Sequence, residues 1–321
     1  MGTPDSFESR TVPSYGFPLD TIAAYRLRGQ GISGLLLAPF RLLNAMRQAG
    51  KILRQTRPQL VLGMGGFVTG PGGLVSKLLG IPLVIHEQNT IPGLTNRWLA
   101  RIAARVLQAF PDSFPASVGA MVTGNPVRSE IAAVAAPDER MDGRDQAARV
   151  LIIGGSLGAL ALNEQLPPAL AQLQLPMVIR HQTGRGKAEA TQALYPSQVQ
   201  AEVTEFIDDM AQALAWADLV ICRAGALTIS ELAAVGVASV LVPFPYAVDD
   251  HQTRNAHYLV DGGAAVLMPQ SEMTQELLVR QLQTLLGDRN KLLEMAKAAR
   301  KLAKPDATLC VADYCEAQVQ S

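Results

Sequence analysis

The sequence predicts an α/β protein with two domains, each built on a parallel β-sheet, and three observations support this fold class. The chain has 321 residues, a length that suits two domains. From about residue 35 onward, short β-branched runs alternate with helical stretches of roughly 10–15 residues, as in strands joined by crossover helices. A charged segment without strand character, 129–147, separates two such series.

The individual elements follow from this alternation. The first series predicts strands at 59–66, 81–89 and 104–110. The second series predicts strands at 148–155, 176–184, 201–208, 218–225, 238–245 and 264–270. Amphipathic stretches predict helices at 210–216, 227–235, 274–286, 291–303 and, after Pro305, 307–318. Residues 1–20 carry no apolar strand that leads into a glycine turn, so we expect the first domain to lack its first βα unit.

Composition excludes several classes of protein. Hydrophobic residues make up 48% of the chain and charged residues 17%, which is too apolar for a disordered protein. Three cysteines without a CxxC pair predict neither a disulfide framework nor a zinc site. A formal net charge of +0 argues against a dedicated nucleic-acid binder. Without a secretory signal or a membrane-spanning run, we expect a cytoplasmic protein, soluble or peripheral.

Two glycine turns in the second half are candidate phosphate sites, because a helix N-terminus offers free N–H groups to an anion. The turn 154-GGSLGA is weak evidence alone, and a βα turn without a ligand is the alternative. No acidic residue ends the next strand, which disfavours a dinucleotide site. In 222-CRAGALTISE, Gly225 permits a sharp turn and Glu231 can accept hydrogen bonds from two ribose hydroxyls. The alternative is a capping box between Thr228 and Glu231.

Further polar residues follow other predicted strands. The segment 243-PFPYAVDDHQTRNA places polar side chains at a strand end, although Asp249 and Asp250 could simply cap a helix. The first half contributes 63-GMGG, 86-HEQN and 124-GNPVR. The sequence has no DxD or Walker A motif, so we predict no metal, no cofactor and no P-loop chemistry. Helix N-termini, with Arg128, would then neutralise a pyrophosphate.

One helix carries an apolar stripe that continues as a basic one. Leu36, Phe40 and Leu43 are followed at helical spacing by basic residues, namely Arg47, Lys51 and Arg54. Residues 21–86 hold eight basic and no acidic residues, so the remaining chain carries a net charge of −8. An apolar patch beside basic residues suits an anionic bilayer. The alternative is that Leu and Phe face the core and the basic residues are solvated.

Taken together, these motifs resemble the MurG family of glycosyltransferases. The resemblance runs in the family's order over nearly the whole chain, through 28-RGQGISGLLLAPFRLLNAMRQA, 61-VLGMGGFVTGPGG, 86-HEQNTIPGLTNRWLA, 124-GNPVR, 154-GGSLGA, 204-TEFIDDM, 222-CRAGALTISE and 251-HQTRNA. It implies a GT-B fold, in which two Rossmann-like domains face a cleft. The implied domains are 1–128 with the last helix, 306–321, on the acceptor and membrane side, and 129–305 for the donor.

The resemblance also implies an activity and a set of contacts. The enzyme would be an inverting transferase that moves N-acetylglucosamine from its UDP donor to the C4 hydroxyl of undecaprenyl-pyrophosphoryl muramoyl-pentapeptide, at the cytoplasmic face of the inner membrane. Donor contacts would come from Asn89, Arg128, Ser156, Ile207 through its backbone, Ala226, Leu227, Thr228, Ile229, Ser230, Glu231 and Gln252. The acceptor pyrophosphate would lie at the loop formed by Gly63, Met64, Gly65 and Gly66.

The sequence departs from the family at its start. The family opens with a strand and a Gly-Gly-Thr-Gly-Gly-His loop, and this sequence begins near the family's Gly-Thr, at Gly2-Thr3. The family's histidine is a leading candidate for the general base. The catalytic residue is therefore unassigned, with His86 and Glu87 as candidates. Two alternatives stay open: an inactive remnant that binds a UDP-sugar or a membrane, and a transferase with another lipid acceptor.

Overall fold

The computed structural model describes residues 1–24, 31–144, 147–155 and 158–320, and the side chains of 31–36, Phe7 and Val248 are left out of the description. The chain divides into two compact units. The first comprises Met1–Thr123 and Leu309–Ser321, and the second comprises Gly124–Thr308.

The first unit is a parallel sheet with helices packed on it. Its strands are β1 (Val61–Gly63), β2 (Leu83–Glu87), β3 (Arg105–Gln108) and β4 (Met121–Val122), in the order β1-β2-β3-β4. Its helices are α1 (Phe7–Ser14), α2 (Gly31–Thr56), α3 (Gly66–Leu78) and α4 (Leu94–Leu99). Three of these strands were predicted, and the two-residue strand β4 is an addition that its exposed side chains could not reveal.

Helix α14 (Ala307–Val319) completes the core of the first unit. Val311 is buried against Val84 and Leu107, and Tyr314 and Cys315 pack beside it. Covering the buried strand β2 on this face removes apolar surface from water, which stabilises the unit. The last helix of the chain therefore belongs to the first sheet.

The second unit contains a larger parallel sheet. Its strands are β5 (Ala148–Ile153), β6 (Met177–Gln182), β7 (Gln200–Thr204), β8 (Leu219–Cys222), β9 (Ala238–Leu241) and β10 (Ala265–Leu267). Their order is β10-β9-β8-β5-β6-β7, and every pairing is parallel. Because both faces of a parallel sheet are covered by helices, its central strands are apolar throughout, as in 219-LVIC.

Helices alternate with these strands along the chain, as the sequence predicted. They are α5 (Ser129–Ala132), α6 (Pro137–Met141), α7 (Leu160–Leu170), α8 (Ala188–Gln192), α9 (Met210–Trp216), α10 (Ala226–Val235), α11 (His251–Val260), α12 (Gln275–Leu286) and α13 (Arg289–Lys301). Caps fix several ends: Asp209, Thr274 and Asp288 each accept a hydrogen bond from the third residue of the helix that follows. Gly236, at φ 69°, ends α10 in the left-handed conformation.

Candidate functional site

The carboxyl edge of the second sheet has one topological switch point. From β5 the chain crosses to β6 on one side, and it later returns to β8 on the other side. Ligands of open α/β sheets bind at such points, because the loops that follow the two strands diverge there and leave a crevice. The loops after β5 and β8 are the two glycine turns predicted from the sequence as phosphate sites.

The turn after β5 is held by the buried amide of Gln182. The Gly155 N–H donates to Gln182 Oε1 at 3.0 Å, and Gln182 Nε2 donates to the carbonyl oxygens of Gly155 at 3.0 Å and Glu205 at 2.8 Å. Gly158 has φ 72°, and a Cβ placed on it would lie 2.0 Å from the Thr183 carbonyl oxygen. Only glycine fits that position. Ser156, a predicted donor contact in this turn, lies outside the described residues.

A buried polar network lies beneath the same turn. His181 Nδ1 is 2.9 Å from the Tyr195 hydroxyl, and His181 Nε2 is 3.1 Å from Asn163 Oδ1. Asn163 Nδ2 in turn donates to the Thr183 carbonyl at 3.1 Å, the oxygen that Gly158 approaches. Burial lowers the pKa of His181 to about 4 and raises that of Tyr195, so both are neutral near pH 7.

The turn after β8 leads directly into α10. Gly225 is the N-cap, and no side chain caps the helix there. The helix begins at Ala226, which places Thr228 and Glu231 inside it. The capping-box alternative is therefore wrong, because its Thr would have to stand before the first helical residue. The first turn of α10 keeps the free N–H groups that an anion would bind.

Glu231 lies one turn further along α10, opposite Arg128. Arg128 Nη2 is 3.5 Å from Glu231 Oε1, with 57% of the arginine side chain exposed. Burial raises the pKa of Glu231, and the nearby Arg128 guanidinium opposes that rise. Asn125 supports the same helix, since its Nδ2 donates to Ser230 Oγ at 3.1 Å. The sequence-predicted Arg128, Ser230 and Glu231 are thus brought together.

The other residues predicted on α10 differ in exposure. Leu227 is exposed, Thr228 is partly exposed, and Ala226 is buried at the helix start. Ile229 is fully buried and its N–H donates to the Gly225 carbonyl oxygen at 2.9 Å, so the structure does not expose this predicted contact.

Two predicted contacts lie at the ends of neighbouring loops. Ile207 follows β7 and lines a pocket of about 210 Å³ together with Arg180, Thr204 and Phe206. Gln252 lies in the first turn of α11, and its Oε1 accepts a hydrogen bond from the Phe244 N–H at 2.8 Å. The alternative that Asp249 and Asp250 cap a helix is correct only for the position of Asp250. Asp250 is the N-cap residue of α11, but its side chain accepts no backbone hydrogen bond there.

Sequence reasoning missed two residues that organise these loops. One is Gln182. The other is Arg223, which donates to the carbonyl oxygens of Val242 and Pro243, both at 3.1 Å, and to Gln270 Oε1 at 2.6 Å. Arg223 thereby joins the loops after β8, β9 and β10. For Arg223 the available signal was a charged residue directly after the apolar strand 219-LVIC, whereas the strand that ends at Gln182 already contains Arg180 and His181 and gave no such contrast.

In the first unit, 63-GMGG and 86-HEQN form one joined pair of loops. Gly65 and Gly66 have φ 82° and 77°, and a Cβ on Gly63 would lie 2.5 Å from Thr69 Cγ2. Gln88 Nε2 donates to the Met64 carbonyl at 2.6 Å, which ties the two loops together. α3 begins at Gly66, so this turn also presents a helix N-terminus.

The two candidate catalytic residues, His86 and Glu87, are both buried. His86 has no exposed surface and Glu87 is 3% exposed. The oxygens of Glu87 accept hydrogen bonds from its own loop, through Asn89, Gly93 and Asn96. The sequence correctly placed both residues at the end of β2, but this burial is typical of structural groups.

The apolar stripe on α2 is exposed, which makes the core-facing alternative wrong. Phe40 is 72% exposed and Leu43 is 49% exposed, and Arg47, Lys51 and Arg54 are exposed as well. Ala45, Ala49 and Leu53 face the core instead. The side chain of Leu36 lies outside the description. Within the described part of the chain, no helix combines the length and apolar character needed to cross a bilayer.

Comparison with known proteins gives consistent matches over the chain. The family model described as the glycosyltransferase family 28 N-terminal domain matches residues 1–108. The model of the family 28 C-terminal domain matches residues 149–309.

Relatives match along nearly the full length. A protein of Aeromonas hydrophila named UDP-N-acetylglucosamine–N-acetylmuramyl-(pentapeptide) pyrophosphoryl-undecaprenol N-acetylglucosamine transferase is 54% identical over 317 residues, which are 98% of this chain and 87% of the relative. A protein of the same name from Marinobacter nauticus is 53% identical, over 98% of this chain and 88% of its own.

Solved structures agree. The crystal structure of Acinetobacter baumannii MurG superposes with a TM-score of 0.85 at 46% identity, over 98% of this chain and 89% of that one. A UDP co-structure of S. aureus MnaA, at 13% identity and a TM-score of 0.63 over 87% of this chain and 80% of that one, shares the fold alone. The predicted two-domain GT-B fold is confirmed by these matches.

Proposed function

Because this chain belongs to glycosyltransferase family 28, we propose that it transfers N-acetylglucosamine from UDP-N-acetylglucosamine to the C4 hydroxyl of undecaprenyl-pyrophosphoryl muramoyl-pentapeptide. The observation that carries the proposal is 54% identity to a transferase of that name over 98% of the chain. In our proposal, residues 129–305 form most of the donor site, to which Asn89 and Arg128 also contribute, and residues 1–128 with 306–321 bind the acceptor.

The donor half of the reaction follows from the switch-point loops. The UDP diphosphate is the leaving group, and negative charge develops on it as the glycosidic bond breaks. The free N–H groups at the start of α10, with Arg128 nearby, would stabilise that charge without a metal ion. Glu231 as a carboxylate would accept hydrogen bonds from the ribose hydroxyls. The remaining proposed donor contacts come from the set predicted from the sequence, at Asn89, Ser156, Ile207, Ala226, Leu227, Thr228, Ser230 and Gln252. Ile229, also in that set, is fully buried and is not proposed as a contact.

A transfer assay tests the proposed reaction. Radiolabelled UDP-N-acetylglucosamine is incubated with the full chain and the lipid-linked muramoyl-pentapeptide, and the label is followed into the lipid fraction. We expect label in a lipid disaccharide. Binding of UDP without any transfer would instead support a non-catalytic UDP-sugar-binding protein. Transfer only to another lipid, such as diacylglycerol, would support a different acceptor.

A substitution at Glu231 tests the donor site. We expect Glu231→Ala to weaken UDP binding about 10- to 100-fold, because the ribose hydroxyls lose hydrogen bonds to a charged acceptor. Binding should also weaken as the pH falls through the raised pKa of Glu231, since the protonated carboxyl is a poorer acceptor. Isothermal titration calorimetry measures both. Glu294→Ala, on an exposed position of α13, is the control. Unchanged UDP affinity in Glu231→Ala would exclude the ribose assignment.

We further propose that the protein is peripheral on the cytoplasmic face of the membrane, and that α2 is its contact. The exposed Phe40 and Leu43 beside Arg47, Lys51 and Arg54 support this. We expect Phe40→Ser/Leu43→Ser to lower co-sedimentation with phosphatidylglycerol vesicles. Leu309→Ser, an exposed apolar residue on α14, should change nothing. Equal binding to phosphatidylcholine and phosphatidylglycerol vesicles would contradict the basic part of this surface.

A further inference from the structure

The loop that follows β2 is organised by one buried carboxylate. Glu87 Oε1 accepts hydrogen bonds from the Asn89 N–H at 3.0 Å and from Asn89 Nδ2 at 3.3 Å. Glu87 Oε2 accepts from the Gly93 N–H at 3.0 Å and from Asn96 Nδ2 at 2.8 Å. An ionised carboxylate offers about four lone-pair sites. All of its accepting capacity is therefore used within residues 87–96.

This arrangement requires a carboxylate. Burial of an ionised group is costly unless hydrogen bonds compensate for lost water, and Glu87 is 3% exposed. Each partner of Glu87 is an N–H donor, so a neutral amide in the same place would set its own NH₂ group against donors. The loop thus holds Glu87 as an acceptor on both oxygens.

The position of Glu87 controls two loops. Because Oε1 binds both the main-chain and the side-chain nitrogen of Asn89, it fixes the path of the backbone and the orientation of that amide. The neighbouring Gln88 donates to the Met64 carbonyl, and so connects this loop to Gly63–Gly66. Asn89 and Gly63–Gly66 are the residues of this unit that the proposed function places against substrate.

We propose that Glu87 is a positioning residue of the transfer reaction and not its general base. It holds Asn89 directly, and through Gln88 it holds the Gly63–Gly66 loop, in the geometry that substrate binding needs. This proposal rests on the proposed function for its kinetic consequence, although the loop geometry does not depend on it. Misplacement of a substrate-contacting group by about 1 Å costs on the order of 100-fold in rate.

The central experiment is Glu87→Gln, an isosteric change that removes acceptors and adds donors. We expect kcat/KM for transfer to fall about 100-fold. The dissociation constant of free UDP should change less than about twofold, because the proposed diphosphate and ribose contacts lie at Arg128, Glu231 and the start of α10, far along the chain from Glu87. The pH–rate profile should keep its shape, since no titrating base is lost. Loss of one limb of that profile in Glu87→Gln would show that Glu87 is the base and overturn the proposal.

A double-mutant cycle separates positioning from simple loss of stability. If Glu87 acts through Asn89, then Asn89→Ala should cost far less in the Glu87→Gln background than in the wild type. A residue with only a structural role would give additive effects, which would refute the proposal. Glu316→Gln, on an exposed position of α14, is the matched control and should keep wild-type kinetics.

Hydrogen exchange supplies a readout that needs no turnover. The amide hydrogens of Asn89 and Gly93 are bound to Glu87, so they should exchange at least tenfold faster in Glu87→Gln, with the second unit unchanged. Unchanged exchange at both amides would overturn the proposal. If wild-type protein binds UDP but transfers to no lipid, the proposed function fails, and this exchange result still decides whether Glu87 fixes the loop.

Discussion

Glu87 in the first unit and Gln182 in the second hold equivalent loops by different chemistry. Each is the last residue of a parallel strand and lies at the carboxyl edge of its sheet. Glu87 fixes the loop that follows its own strand, whereas Gln182 fixes the glycine turn after the neighbouring strand β5. Glu87 meets four N–H donors, whereas Gln182 accepts from the Gly155 N–H and donates to two carbonyl oxygens. The side chain therefore matches what the loop offers: a carboxylate where only donors converge, and an amide where donors and acceptors meet.

The two glycine turns also differ in the residue that allows close packing. In the second unit this residue is Gly158, and in the first unit it is Gly63. We expect Gly158→Ala to destabilise the second unit by about 4 kcal/mol or more, since its Cβ would overlap the Thr183 carbonyl. Gly263→Ala is the control, with the same φ of 72° and open space around it. Urea unfolding measures the loss of stability in both variants. Equal losses would mean that the positive φ, and not the overlap with Thr183, causes the loss.

The network beneath Gln182 predicts that the stability of the second unit depends on pH. His181 keeps a pKa of about 4 when folded and regains about 6.5 when unfolded. Between these values the unfolded state binds the extra proton, so stability should fall by up to about 3 kcal/mol as the pH drops from 6.5 to 4. Urea unfolding of His181→Gln across this range should lose that slope, and His257→Gln, an exposed site, should keep it.

Replacing the amide of Gln182 by a carboxylate tests whether the side chain must match the donors and acceptors of its loop. We expect Gln182→Glu to lower the free energy of unfolding by about 2 kcal/mol, because a carboxylate cannot donate to the Gly155 and Glu205 carbonyls. Protonation would return one donor, so the loss should shrink at low pH. Gln192→Glu, on an exposed position of α8, is the control for added charge. Equal stability of Gln182→Glu and the wild type would show that the loop does not require a donor at this position.

We expect the smallest change in stability from the exposed ion pair between Arg128 and Glu231. The Arg128–Glu231 pair is solvated on the arginine side, so Arg128→Gln should change the free energy of unfolding by less than about 1 kcal/mol. It should also raise the pKa of Glu231 further, since Arg128 opposes the effect of burial. Denaturation at several salt concentrations checks the first expectation. A larger loss that salt does not reduce would show that the pair behaves as a buried ion pair.

The sequence predicted the elements better than the contacts between them. Strand and helix periods placed β8, the Gly225 turn and Glu231, because these depend on local pattern and glycine conformation. The exposed face of α2 followed from spacing and charge but needed the structure to exclude core packing. Glu87 and Gln182 could not be assigned, because the partners of a buried polar side chain depend on how a loop closes. The spacing of hydrophobic residues along the sequence does not reveal these partners.

The return of α14 to the first sheet has a consequence for synthesis. Val84 and Leu107 are made first, whereas Val311, which covers them, is made more than 200 residues after Leu107. At about 5–20 residues per second, the interval after residue 123 lasts roughly 10–40 s. During that time the second unit can fold as a contiguous segment, while part of the first unit's apolar surface is exposed to chaperones. Translation order thus completes the core of the first unit only after the second unit has been made.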